Sequence, residues 1–291
     1  MQWPDLLLPA DDRLGDALGA SFAFHPDVTV TEVLRHVPGR RVTALATDGR
    51  RTLVVKVFHS PRARGNHRRL SALAAAGLAD IVPPSYGCDV TGHVGVVGHR
   101  TGLELQSVDD GEWVPSCHRA GVALRRLHES GADLDRQWTV DDEVAQLRTM
   151  TPDHLLPQVD RVIDGAALLH GTPLVPSHRD CHPRQLVVDC EHVAWIDLDD
   201  CTMAPAALDV ANMLAHLTRE AVVGRRSTDM VAEARAAFLD GYGGIDRAHC
   251  RAWELLSLAR LAGLAETRHH APAERDALLR ELKDITPCTT C

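Results

Sequence analysis

The stretch Ser177–Asp200, SHRDCHPRQLVVDCEHVAWIDLDD, constrains the fold more than any other part of the chain. Two apolar runs, Leu186–Val188 and Val193–Ile196, have strand length, and Asp189-Cys190-Glu191-His192 between them reads as a tight turn. The spacing predicts a hairpin. A polar cluster precedes its first strand: His178, Arg179, Asp180, His182 and Gln185. Its second strand ends in Asp197, Asp199 and Asp200. An antiparallel hairpin sets the start of one strand beside the end of the other, so Asp180, Gln185 and Asp197 are expected near one end. Carboxylates and an amide gathered in this way suit a divalent metal and a phosphate.

The chain ahead of this stretch changes character near residue 100. Residues 28–36 alternate and are rich in β-branched side chains, as a strand requires. Val37-Pro38-Gly39-Arg40 is a turn, 41–47 a second strand, Asp48-Gly49 a hairpin signal and 52–58 a third strand. A helix is predicted over 61–76, stopped by Gly77, and a further strand over 93–98. Gly102–Ser107 reads as a connector. Beyond it, helices are expected over 113–130, 141–150, 152–170, Pro205–Leu217, 228–241, 246–268 and 272–284. Residues 1–20 read as a weak helix or an irregular arm. The fold class is α+β and bilobal: a small antiparallel sheet with one helix over residues 1–100, then a larger, mainly helical lobe over 101–291.

Composition narrows the function. A net charge of −9 argues against nucleic-acid binding, which needs a basic footprint. No run of 18 apolar residues is present, so no membrane span is expected. The acidic start, MQWPDLLLPADD, lacks the basic region of a signal peptide, and a cytoplasmic location is expected. The eight cysteines show no framework and read as reduced thiols. Cys288-Thr-Thr-Cys291 has metal-ligand spacing, but no second pair completes four ligands, and it reads as a tail. Lysine occurs only at 56 and 283, whereas arginine is abundant. In a chain that writes positive charge as arginine, a lysine inside a strand marks either a site needing a compact point charge or a blunted sheet edge.

The ordered series resembles the protein-kinase-like fold, and more closely the aminoglycoside phosphotransferase family, which includes choline, homoserine and sugar kinases. Leu53-Val-Val-Lys56-Val-Phe58 looks like the nucleotide-lysine strand. His178-Arg-Asp180-Cys-His182-Pro183-Arg-Gln185 resembles the family's H-G-D-x-H-x-x-N loop. Trp195-Ile-Asp197-Leu-Asp199, whose Asp197 stands 12 positions after Gln185, resembles the I-D-W-E strand end, and Pro205-x-x-x-Asp209-Val-Ala resembles the D-P-x-x-D-L-A helix.

The resemblance implies a small-molecule O-phosphotransferase using ATP or GTP with Mg²⁺, since phosphoryl transfer rests on positioning and charge neutralisation. Asp180 is then the catalytic residue that orients or accepts the acceptor hydroxyl's proton. Lys56 contacts the nucleotide phosphates. Asp197 and Gln185 are the metal ligands, Gln185 standing at the family's asparagine position, where glutamine also occurs among its sugar kinases. Asp199 either touches the metal or lies behind it, and Asp200 reads as solvated. His178 and His182 brace the loop, and Asp209 holds it by accepting backbone N–H bonds. The acceptor is expected in the helical lobe and is read as an antibiotic or related natural product. The alternatives are a sugar or amino alcohol, or a nucleotide-binding pseudokinase without an acceptor. Three departures from the family pattern stand out. Residues 57–79 contain no acid to pair with Lys56, so either Asp197 or another acid holds it, or the partner helix comes from elsewhere in the chain. The turn after the first strand has only Gly39. Arg179 occupies a glycine position. Pro205 follows eight positions after Asp197, too few for a peptide-binding activation segment, so a protein acceptor is disfavoured. Nothing in the sequence constrains the oligomeric state.

Overall fold

Strict alternation of small and branched apolar residues builds the first sheet. The computed structural model describes residues 28–282 apart from Glu191; the expected N-terminal arm and the Cys288/Cys291 pair lie outside the described residues. The chain divides into two compact units, one holding residues 28–102 with Ala194–Asp199, the other holding Leu103–Val193 and residues 200–282.

In the first unit, β1 (Thr29–Val37), β2 (Arg41–Thr47) and β3 (Thr52–Phe58) form the predicted meander. Helix α1 (Ala63–Leu73) follows, then a π-helical turn, Ala74–Leu78, that is kinked at Gly77, where φ is +87°. Strands β4 (Ser85–Cys88) and β5 (Val94–Gly98) complete an antiparallel sheet of order β1-β2-β3-β5-β4. Val42, Ala44 and Ala46 of β2, Leu53, Val55 and Val57 of β3, and Val94 and Val96 of β5 all lie on one buried face. Each fully buried valine or leucine there contributes about 1.5–3 kcal/mol. The opposite face carries Thr43, Lys56 and Gly95 in register across three strands. A Cβ on Gly95 would stand 3.3 Å from Ala63 Cβ, so the missing side chain lets α1 lie against the sheet beside Lys56. Strand β3 is central, which removes the sheet-edge explanation of Lys56.

In the second unit, a short β6 (Leu103–Glu104) precedes α2 (Asp110–His128) and α3 (Val140–Met150). Thr139 and Asp142 close a reciprocal capping box at the start of α3. The helix expected over 152–170 is broken into a 3₁₀ turn, α4 (Leu156–Gly165) and a second 3₁₀ turn. Pro157 in the first turn of α4 cannot donate back into a preceding turn. Strand β7 (Leu174–Ser177) was not expected. The predicted hairpin follows as β8 (Leu186–Asp189) and β9 (His192–Trp195), neighbours in a sheet of order β6-β8-β9. Its second strand stops before Ile196, ahead of Asp197, whose φ is +55°. Strand β10 (Thr202–Pro205) pairs antiparallel with β7, Thr202 opposite Ser177. Helices α5 (Ala206–Val222), α6 (Thr228–Tyr242), α7 (Arg247–Thr267) and α8 (Pro272–Glu281) complete the unit.

Helices α2 and α6 meet where both carry glycine. A Cβ on Gly121 would lie 2.2 Å from Phe238 O, and one on Gly241 2.1 Å from His118 O. This close crossing sets His128, at the end of α2, beside Tyr242, at the end of α6. Among the described residues no helix is long and apolar enough to cross a membrane.

Candidate functional site

The sequence-predicted residues fall into two clusters, one in each unit. In the first, Lys56 projects from the less buried face of β3, and its side chain is 12% exposed. Its Nζ donates to Asp197 Oδ1 at 2.5 Å and to Asp199 Oδ1 at 2.8 Å. The acid missing from residues 57–79 is therefore supplied by the I-D-L-D strand end. Helix α1 contributes polar groups instead of a carboxylate. Asn66 Nδ2 donates to Asp199 Oδ1 at 3.2 Å, and Arg69 Nη2 donates to Asn66 Oδ1 at 2.5 Å and to the Asp199 carbonyl at 3.2 Å. Both residues are buried. Arg41, from β2, reaches Asp199 Oδ2 at 3.4 Å and Asp197 Oδ2 at 3.5 Å.

The charges in this cluster shift one another. Burial alone would lower the Lys56 pKa, but Asp199 and Asp197 outweigh it and raise it, so Lys56 stays cationic. For Asp197, burial acts upward, while Lys56 and Arg41 act more strongly downward and hold the carboxyl below its usual range. Burial and the Asp197 charge push Asp199 upward against Lys56. Asp199 is thus the acid enclosed by Lys56 and α1, whereas Asp197, with a side chain 22% exposed, keeps access to solvent.

In the second unit, the β7–β10 ladder delivers the loop His178–Gln185 to the first turns of α5. Asp209, on α5 and fully buried, accepts the N–H of His178 at 2.6 Å through Oδ2 and the N–H of Arg179 at 2.7 Å through Oδ1. His128 Nε2 lies 3.2 Å from Asp209 Oδ2, and its Nδ1 lies 2.9 Å from the Tyr242 hydroxyl. The bracing role expected of Asp209 thus has its bonds, extended by two residues on α2 and α6. Arg179 has φ +69°, a conformation that favours glycine. The arginine offsets that strain by stacking 3.5 Å over the Trp138 ring and donating to Gln146 Oε1 at 2.8 Å.

Asp180 follows directly. Its N–H donates to His178 Nδ1 at 3.3 Å, and its Oδ2 accepts from Gln185 Nε2 at 3.4 Å and faces His182 Nε2 at 3.6 Å. His182 Nδ1 accepts the Arg184 N–H at 3.2 Å, which leaves Nε2 to carry the proton toward Asp180. The His182 ring stacks on His216 of α5, centroids 4.6 Å apart. Burial, with the charges of His182 and Arg260, drives the His216 pKa well below its ordinary value and keeps it neutral. Partial burial pushes Asp180 up, but His182, Arg260 and His178 pull harder, and its carboxyl stays far below the usual range. Asp180 is an ionised carboxylate with a side chain 44% exposed. Asp200, expected to be solvated, lies 3.6 Å from Arg179 Nη1 and 3.8 Å from Arg136 Nη1. Sequence reasoning missed Arg41, Asn66, Arg69, His128, Tyr242 and His216. For Arg41 a signal existed, since it stands two residues from Thr43, the cross-strand partner of Lys56.

A model of the phosphotransferase enzyme family matches residues 39–253, which includes every residue of both clusters except Arg260. The chain belongs to that family. Among curated protein sequences none matches it significantly. Solved structures similar to this phosphotransferase include a glucosamine kinase in complex with glucosamine, ADP and inorganic phosphate, 21% identical, covering 95% of this chain and 86% of that one, with a TM-score of 0.66. A choline kinase from Streptococcus pneumoniae is 13% identical, covering 93% and 99%, with a TM-score of 0.69. An aminoglycoside-3′-phosphotransferase of type VIII is 21% identical, covering 83% and 97%, with a TM-score of 0.61. The phosphotransferase therefore has the kinase-like α+β fold: an antiparallel sheet in its N-terminal part and helices in its C-terminal part.

Proposed function

We propose that this phosphotransferase transfers the γ-phosphoryl group of ATP or GTP to a hydroxyl of an antibiotic or related natural product in the cytoplasm. The observation that carries the reading is the placement of Asp180: a carboxylate 44% exposed on a loop that Asp209 fixes through two short bonds. A carboxylate so held orients a substrate hydroxyl and takes its proton as the hydroxyl oxygen bonds to the γ-phosphorus and the bond to the departing nucleoside diphosphate breaks. Lys56 supplies a fixed point charge to the nucleotide phosphates, and the Asp197/Asp199 pair keeps it protonated.

Among the described residues, no group of three or more His, Cys, Asp or Glu is arranged to cage a metal. The Asp197 carboxylate suits Mg²⁺ carried in with the nucleotide, which takes one or two protein oxygens and completes its shell with phosphate and water. Asp197 is the carboxylate that would hold it. The Gln185 amide oxygen is the second ligand assigned, its Nε2 being turned toward Asp180. The ion supplies neutralisation of phosphate charge.

The glucosamine kinase among the similar structures supports a second reading within the same chemistry, transfer to the hydroxyl of a free sugar. The discriminating experiment is a phosphorylation screen with ATP and GTP, with and without Mg²⁺, across neutral glycosides and macrolide-like polyols, free sugars, amino alcohols and aminoglycosides, read by mass spectrometry. Metal-dependent gain of one phosphoryl group on a natural product supports the proposal. Transfer confined to a free sugar supports the second reading. Nucleotide binding with no transfer to any member contradicts both.

A further inference from the structure

Arg41 shares a strand face with Lys56 but has no role in the assignments above. Cross-strand register pairs Thr43 with Lys56 and Arg41 with Phe58. Side chains alternate along a strand, so Arg41, Thr43 and Lys56 project from one face. The guanidinium reaches both acids of the cluster, but only at 3.4 and 3.5 Å, against 2.8 and 2.5 Å for Lys56. Its side chain is 26% exposed and makes no other bond among the described residues. A guanidinium has five N–H donors, and most of these are uncommitted here.

The neighbouring contacts point the same way. Lys56 and Arg41 share the carboxylates of Asp197 and Asp199, and Lys56 holds the shorter contacts. Asp199 Oδ1 is already shared between Lys56 and Asn66. The turn before Arg41, Val37–Arg40, contains one glycine, at φ +67°, so few backbone amides can close around phosphate there. A planar fork, by contrast, matches two phosphate oxygens at once.

We propose that Arg41 binds the nucleotide's phosphate oxygens, clamping them in bidentate fashion beside the point charge of Lys56. The assignment rests on the nucleotide reading of Lys56 and Asp197 and extends it to a residue of β2.

The test is calorimetric binding of ATP, ADP, AMP and adenosine, with Mg²⁺, to wild type, Arg41→Met and Arg41→Lys, with unliganded melting recorded for each. Arg41→Met is expected to weaken ATP by about ten- to a hundredfold, the loss of a charge-assisted pair. The effect should shrink along the series and leave adenosine within about twofold. If Arg41→Met does not fold, Arg41→Lys decides: ATP weakened by about threefold or more with adenosine unchanged supports the clamp, because lysine keeps the charge and loses the fork. Equal losses for ATP and adenosine, or a lowered melting temperature with unchanged phosphate dependence, would make Arg41 a counter-ion only and overturn the proposal. Wild type that binds none of the four overturns the nucleotide reading as well. Wild type that binds ATP, with phosphate dependence lost in Lys56→Met and retained in Arg41→Met, overturns the Arg41 assignment alone.

Discussion

Replacing Asp209 by alanine tests how the catalytic loop is held. The residue is fully buried and accepts two backbone N–H groups, at 2.6 and 2.7 Å, with His128 Nε2 at 3.2 Å. A hydrogen bond to a charged acceptor contributes about 1.5–3 kcal/mol, so removing both acceptors from the His178 and Arg179 amides costs about 3–6 kcal/mol. That is a large fraction of the 5–15 kcal/mol typical of a folded protein. Arg179 adds to the loss, because its φ of +69° is a strained conformation that the bond to Asp209 helps to fix. Asp209→Asn keeps one acceptor and turns the other oxygen into a donor facing an N–H, so at least half of the loss should remain. Hydrogen exchange read by mass spectrometry on peptides spanning 174–182 measures the effect where it arises. Chemical denaturation, followed by two independent probes, measures the global cost. Both variants should lose protection in this segment, and kcat should fall by more than nucleotide affinity does. Unchanged protection together with a global loss below about 1 kcal/mol would refute the reasoning, since two buried amides cannot lose their acceptor at so small a cost.

Two further predictions follow from packing. Gly121→Ala places a Cβ 2.2 Å from a backbone carbonyl of α6, so α2 and α6 must separate; thermal denaturation should show a loss of several degrees or failure to fold, and the Tyr242–His128 bond should weaken with it. Burial pushes the thiols of Cys117 and Cys250 up to about 12 and Cys181 well above its ordinary value, so all three stay protonated at pH 8. Native-state alkylation at that pH, mapped by mass spectrometry, should modify exposed Cys190 and spare these three until denaturant is added.

The fold was legible wherever one pattern repeats over a long enough span. Four strands of the first sheet and most helices follow from period-two and helical alternation, because each buries a continuous face. Strands β4, β7 and β10 were not legible. Each has four residues, two contain proline, and β7 and β10 owe their existence to pairing with one another rather than to any local pattern. At the site, Lys56, Asp180, Gln185, Asp197 and Asp209 were singled out because they stand in an ordered motif. The partner of Lys56 was narrowed to Asp197 or another acid, and the structure supplies both Asp197 and Asp199. Asn66 and Arg69 were invisible because a helix lacking acids looks like an absent partner. Here it supports the acid instead of providing one. His128 read only as part of a helix end, and its value depends on the close glycine crossing of α2 and α6, a tertiary fact that no window of sequence contains.

The central claim is that Asp180 serves phosphoryl transfer to a hydroxyl, and the most direct measurement compares wild type with Asp180→Asn using an acceptor found in the screen. Radiolabelled or phosphorus-NMR assays follow transfer, while calorimetry follows nucleotide binding. The account predicts a fall of about 10²–10⁴ in kcat, the usual contribution of a positioned acid or base, with nucleotide affinity within about twofold of wild type. Transfer by Asp180→Asn at the wild-type rate would contradict it.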